Sequence, residues 1–286
     1  MPPSMEVNRA VTDVRDPAVA GSFYPSDPQE LRAAVRGYLM AADEARSPPL
    51  QSSPAGGDKT YPKAIIAPHA GYRYSGPVAA AAYVHLRPGR DRIRRVAILG
   101  PTHRVPVRKL ALPRFGAFAT PLGTVQMDRS AWDELEALRS VEVLDAAHLF
   151  EHCLEVHLPF LQEVLGDSFS IVPLLVGEAT AVEASEVIRL LWGGPESFIV
   201  VSSDLSHFHN YDTARQLDGE TSRAIESLKF EEIAERSACG RVPIQGLLME
   251  ASRRGVRVRI ADLRNSGDTS GNRTEVVGYG AYVLEE

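Results

Sequence analysis

Short runs of apolar β-forming residues alternate along this chain with longer stretches whose apolar positions recur at helical spacing. That alternation is expected of a mainly parallel sheet covered by helices. Lys63–Ala67, Arg95–Leu99, Phe169–Val176 and Ser197–Ser202 read as buried strands, and Val256–Ile260 and Val276–Leu284 as the closing ones. Leu31, Val35 and Leu39 mark the first helix, and Ser26-Asp-Pro-Gln29 ahead of them supplies a cap, an early proline and a capping-box glutamine. Ser75-Gly-Pro77 opens an alanine-rich helix from Val78 to Leu86, whose small side chains suit close packing on a sheet. Further helices are predicted after Ser130, over 148–165, 180–192 and 212–228, and from about Pro243. Ser47–Gly57 reads as a mobile loop, and the proline-bearing region 106–121 as short strands or loops around the site. No fixed-period repeat and no linker divides the chain, so the pattern predicts one α/β domain with a largely parallel central sheet flanked by helices.

Three of the predicted strands run into loops that carry metal-ligating or acid–base side chains. Lys63-Ala-Ile-Ile-Ala-Pro-His69 and Arg95-Val-Ala-Ile-Leu-Gly-Pro-Thr-His103 each deliver an imidazole just past a buried strand, and Ser197-Phe-Ile-Val-Val-Ser-Ser-Asp204-Leu-Ser-His207 adds a carboxylate and another imidazole. In open α/β sheets the crevice beyond the carboxyl ends of neighbouring strands is where ligands bind. Two imidazoles delivered there are most simply explained as metal ligands. An imidazole bonded to backbone carbonyls is the alternative for each.

Composition excludes more than it names. With 286 residues, 44% of them hydrophobic, the chain can bury a substantial core. A formal net charge of −6 argues against a dedicated nucleic-acid binder, which needs a clustered basic face. The basic clusters Arg90–Arg95 and Arg253–Arg259 read as a solvated surface or an edge strand. The first residues lack an apolar signal region and no stretch is long enough to span a bilayer, so a cytoplasmic protein is expected. Two cysteines, Cys153 and Cys239, make no disulfide framework.

Cys239 lies just before a helix whose first turn holds Pro243. Backbone N–H groups there favour a thiolate, the form that binds metals, although a lone cysteine also serves as a small buried hydrophobe. Glu151-His-Cys-Leu-Glu-Val-His157 resembles a metalloprotease helix, but its histidines stand five apart and cannot share a face as a zinc pair does. On the predicted helix, Glu155 and His148 are assigned to solvent, while Glu151 and His152 stay open. There is no P-loop, dinucleotide fingerprint or nucleophile elbow.

Ala18-Val-Ala-Gly-Ser-Phe-Tyr-Pro25, Ala67-Pro-His-Ala-Gly-Tyr-Arg-Tyr-Ser-Gly76, Leu99-Gly-Pro-Thr-His103, Glu151–Phe160, Ser202-Ser-Asp-Leu-Ser-His207 and Cys239-Gly-Arg-Val-Pro-Ile244 together resemble the Memo family. The likeness runs from about residue 15 to the end, which makes residues 1–14 an N-terminal extension and 15–286 the domain. Memo proteins resemble class III extradiol dioxygenases, non-haem iron enzymes, and the likeness implies one site at the strand ends of a single α/β domain. It implies His69, His103 and Cys239 as metal ligands, with Asp204 and His207 lining the same pocket as candidate catalytic groups. Tyr72, Tyr74, Glu151 and His152 are the candidate substrate-binding residues; for both tyrosines, packing with the hydroxyl on backbone is the alternative. The family link further implies a pathway shared with AMMECR-type and radical-SAM proteins.

A thiolate in place of the carboxylate of oxygen-activating iron sites makes a softer donor set, suited to iron(II) or copper(I) and also to zinc. Three readings follow: a metal-dependent oxidoreductase, a copper- or iron-binding protein without turnover, and a peptide- or protein-interaction protein using the same cleft; the ligand expected in the metal cleft is a small molecule or a peptide.

Overall fold

The structure, a computed structural model, describes residues 13–46 and 61–286. The loop expected at 47–57 and residues 1–12 of the expected extension lie outside the described residues. In chain order the elements are β1 (Val14–Arg15), α1 (Pro28–Ala45), β2 (Ala64–Ala67), α2 (Tyr72–Tyr83), β3 (Arg95–Pro101), β4 (Leu110–Leu112), β5 (Ala117–Thr120) and β6 (Gly123–Met127). They continue with α3 (Trp132–Glu136), β7 (Val141–Val143), α4 (Asp145–Leu149), α5 (Leu158–Leu165), β8 (Ser170–Val176), α6 (Ala181–Leu191), β9 (Ser197–Ser202) and β10 (His207–His209). The chain closes with α7 (Tyr211–Glu226), α8 (Arg241–Arg254), β11 (Arg257–Asn265), α9 (Ser266–Ser270) and β12 (Val276–Glu285).

The strands form one open sheet with the path β1-β5-β6-β8-β3-β9-β2-β12-β10. Its centre, β8-β3-β9-β2, is parallel, and β12 is antiparallel to β2. The central strands are apolar on both faces because both faces are covered. Ile65, Ile98 and Val200 point into one core with Leu31, Val35, Val78 and Phe160 of α1, α2 and α5. Their chain neighbours Ile66, Leu99 and Val201 point the other way, onto Val187, Ile188, Ile225 and Leu247 of α6, α7 and α8. Successive side chains of a strand alternate between faces, so each strand binds two helical layers at once.

Local differences from the predicted elements have identifiable causes. Helix α1 is capped by Asp27, whose carboxylate accepts from the backbone N–H groups of Gln29 and Glu30, rather than through the expected capping box. Helix α2 starts at Tyr72 and carries Pro77 in its second turn, which removes the donor that the Arg73 carbonyl would otherwise meet one turn on. The continuous helix predicted over 148–165 does not form: α4 stops at Leu149, residues 150–154 are irregular, and α5 begins at Leu158.

That interruption is held by a buried ion pair. Arg15 and Glu155 are 1% and 0% exposed, so Glu155 is not the solvent-facing residue expected, and His148 is buried as well. The Glu155 carboxylate accepts from the Arg15 guanidinium, the Tyr24 hydroxyl and the backbone N–H groups of Ala18 and Val19. Arg15 in turn donates from Nε to the carbonyl of His148 and from Nη2 to that of Glu151. This pair ties the 15–24 segment to the irregular 148–155 stretch, and a continuous helix over 148–165 would have spent those two carbonyls on its own backbone N–H groups. Glu155→Ala would leave a buried guanidinium and two backbone donors without an acceptor. The expected loss is about 3–5 kcal/mol in denaturant unfolding; a loss under about 1 kcal/mol would mean the pair does not hold this segment.

Candidate metal centre

Strand β9 lies between β2 and β3, with Ala67 paired to Ser202 and Leu99 to Val201. The loops leaving these three strands therefore start side by side at one edge of the sheet. Onto them descends the irregular 150–154 segment. Its approach needs Gly100, where a Cβ would lie 2.8 Å from Cys153 Sγ and 3.1 Å from Ser202 Cβ. Gly240, ahead of α8, has the same role on the other side, since a Cβ there would meet the Ser202 carbonyl at 2.6 Å.

His69, His103 and His152 each bring one ring nitrogen to within 4.8 Å of the others. Their ring centroids are 5.2, 5.5 and 4.8 Å apart. Cys239 Sγ lies 3.3 Å from Nε2 of His69. The neighbours of two of these rings fix their tautomers. Ser202 spends its one hydroxyl proton on the Cys153 carbonyl at 2.7 Å, so at its 2.7 Å contact with His69 Nδ1 the oxygen accepts and the imidazole donates. Glu151 accepts from His103 Nδ1 at 3.0 Å in the same way. Both rings are thereby held as the tautomer whose free lone pair is on Nε2, the arrangement that protein metal sites use to orient imidazole ligands. His152 Nδ1 lies 3.1 Å from the same Glu151 oxygen, out of line for a full hydrogen bond.

A second group, His103, Glu151 and Cys153, also falls within 4.8 Å. Its donors are already engaged: Glu151 with its histidine neighbours, and Cys153, fully buried, with the carbonyl of Pro101 at 3.0 Å. His69, His103 and His152 are the group that could hold a metal ion facing the cleft; Cys239, expected as a ligand with His69 and His103, belongs to neither group, although its Sγ touches the His69 ring.

The comparison with known proteins decides the family. The profile of the Memo-like protein family matches residues 15–283. The chain belongs to the Memo family. It is 35% identical over 284 residues to a MEMO1 family protein of Sulfolobus acidocaldarius, covering 93% of this chain and 97% of that protein. It is 35% identical over 280 residues to one of Aeropyrum pernix, covering 94% and 98%. A Methanobrevibacter smithii MEMO1 family protein is 33% identical over 287 residues, covering 95% of this chain and 100% of that protein.

In this Memo-family chain a cleft of about 330 Å³ opens over the imidazoles, lined by Phe23, His69, Ala70, Gly71, His103, Arg104, His152, Asp204 and His207. Asp204 and His207 thus share the cleft with the two strand-end histidines. The Asp204 carboxylate accepts from the backbone N–H of His69 at 2.8 Å, and Asp204 N–H points at Cys239 Sγ, 3.3 Å away. His207 is half-buried on β10, next to Phe208, which is exposed and has φ of 61°. Neither tyrosine expected at the entrance lines the cleft. Tyr72 is buried among Tyr24, Tyr38 and Phe160 with its hydroxyl on the Val156 carbonyl at 2.6 Å, and Tyr74 lies exposed beneath the Arg73 guanidinium. Both ride the first turn of α2, which leads away from the sheet edge.

His152, grouped with substrate contacts in the sequence, stands among the metal-capable donors because the chain is irregular there. Ser202, Phe23 and Arg104 were not singled out at all. Phe23, whose ring packs 4.6 Å from that of His152, lies in the Gly-Ser-Phe-Tyr-Pro block, and Arg104 directly follows His103, so position was the only available signal.

Burial sets the electrostatics. It pushes His69 well below the ordinary histidine range, helped by the neighbouring imidazoles. Burial would raise Glu151, but the adjoining His103 and His152 imidazoles and the His103 backbone N–H outweigh it and hold the carboxyl well below the usual range. Asp204 is raised by burial against the backbone N–H groups of His69 and Ala70. Cys239 is pushed up to about 12, by burial first and then by Asp204. The helix start behind it does not by itself make the thiolate expected from its position. A bound cation would have to displace that proton.

The loop bearing Asp204 and His207 is anchored from behind by Asp218 of α7, which accepts from Ser206 N at 2.9 Å and is pushed up to about 6 by burial. A raised carboxyl pKa means the folded state holds the proton more tightly, so this group's contribution to stability falls as pH rises from about 4 to about 6. Asp218→Asn should therefore gain up to about 3 kcal/mol on the parent between pH 4 and 7, read from parallel denaturant titrations; curves that stay a constant distance apart would contradict it. For the centre itself, Ser202→Ala and Glu151→Gln should each weaken metal binding roughly 10–100-fold by freeing the rings they orient. Unchanged affinity in competition with a chelator would show that these contacts do not set the tautomers.

Proposed function

We propose that this Memo-family chain holds one transition-metal ion with His69, His103 and His152, joined by the Cys239 thiolate, and that it works as a metal-dependent oxidoreductase in the adjoining cleft. The observation that supports the reading is the convergence of three imidazole nitrogens within 4.8 Å beside a thiol, at the foot of a cleft with room for a ligand. The donors fit a metal chemically. Two of the rings have Nδ1 spent on an acceptor, which leaves their Nε2 lone pairs as the donors for a cation, the one on His69 once the Cys239 thiol has given up its proton. Three imidazoles with a thiolate suit iron(II), copper(I) or zinc, and an oxidoreductase requires one of the first two. When bound, such an ion supplies Lewis acidity and one-electron chemistry.

This chain's own residues would do the rest. His207 at the rim is within the cleft to take or give a proton, and Asp204, anchored by the His69 backbone, orients groups beside Cys239. Phe23 closes the wall beside His152 and keeps water from that face.

Elemental analysis of protein purified anaerobically, or loaded with iron(II) or copper(I), should find one ion per chain. Cys239→Ser and His152→Ala should each lose most of it. No metal in the loaded parent would overturn the reading, and full retention in His152→Ala would remove His152 from the donor set. A loaded parent inert toward dioxygen, peroxide and catechols would leave a metal-binding protein without turnover.

A further inference from the structure

The cleft carries a cation with nothing to balance it. Arg104 follows His103, lines the cleft, is exposed, and forms no ion pair with any carboxylate among the described residues. The two carboxylates of the site are committed elsewhere: Glu151 to the His103 backbone and ring, and Asp204 to the His69 backbone. The same cleft offers an apolar surface, the Phe23 ring beside His152.

The geometry points to a small monocarboxylate with an apolar body as the cleft's ligand, its carboxylate on the Arg104 guanidinium and its body against Phe23. A guanidinium presents a planar fork that matches a carboxylate through two parallel hydrogen bonds. One unpaired arginine balances one negative charge. Asp204, which also lines the cleft, disfavours a second, which selects a carboxylate over a phosphate ester. About 330 Å³ is the size of a small-molecule pocket. The inference rests on the metal-centre reading in one respect, that the ion adds positive charge to the same cleft; the arginine and the aromatic wall stand without it.

The test is calorimetric titration of benzoate, benzamide and phenyl phosphate into the full chain, metal-free and loaded anaerobically with iron(II), for the parent, Arg104→Gln and Arg104→Lys. The parent should bind benzoate at least about tenfold more tightly than its neutral isostere benzamide, and no less tightly than phenyl phosphate, as expected of a charge-assisted pair. Arg104→Gln should abolish the preference for benzoate over benzamide while leaving metal content and melting temperature unchanged, and Arg104→Lys should restore part of it. Equal binding of benzoate and benzamide, a preference that survives in Arg104→Gln, or tighter binding of phenyl phosphate would each overturn the inference. If the protein takes up no metal, the metal-free titration still decides: an Arg104-dependent preference upholds the carboxylate site while the metal reading falls, and no preference sinks the carboxylate site itself.

Discussion

The carboxylate of Glu151 is the point on which the site's geometry depends. It is 2% exposed and accepts from the backbone and ring of His103 and from the backbone N–H groups of His152 and Cys153. A buried carboxylate is tolerated only when its oxygens are fully used, and here every donor that uses them belongs to the site. One charge thus fixes the loop after β3, the irregular 150–154 segment and the tautomer of a histidine. The Arg15–Glu155 pair repeats the device one layer deeper, holding the same segment from below through the carbonyls of His148 and Glu151.

Rigidity in the sheet makes such local fixing useful. Because β2, β9 and β3 are adjacent and parallel and are packed by helices on both faces, their carboxyl ends vary little in relative position. His69 and His103 inherit that precision directly. Ser202, the last residue of β9, joins the two sides by bonding the His69 ring and the Cys153 carbonyl with one oxygen. Side chains on strand ends, each oriented by a neighbour that is itself fixed, are how a fold holds a small constellation in place.

Much of this was legible in the amino-acid pattern, and the parts that were not share a cause. Apolar runs ending in Pro-His and Pro-Thr-His announced both the strands and the edge of the sheet where His69 and His103 meet, and Asp204 and His207 followed from the same logic. The segment 148–165 misled because its residues favour a helix locally, while the buried Arg15, more than a hundred positions away, takes the carbonyls that a helix would have used. Tertiary contacts of that range leave no periodic trace. His152 was consequently seen as part of a helix face and Glu155 as solvated, when one joins the imidazole cluster and the other is fully buried. Tyr72 shows the converse: its motif neighbours line the cleft, but helical geometry turns its ring into the core. The state of Cys239 was misjudged for an energetic reason, since helix-start favour is worth a fraction of what burial costs a thiolate.

In the proposed centre, imidazoles oriented by Glu151 and Ser202 meet around one cation beside Cys239. X-ray absorption at the metal edge of anaerobically loaded protein reads that arrangement directly. It should show a coordination sphere dominated by imidazole scattering with a single sulfur at about 2.3 Å, the sulfur vanishing in Cys239→Ser. A sphere of light oxygen donors alone, unchanged by that substitution, would contradict it.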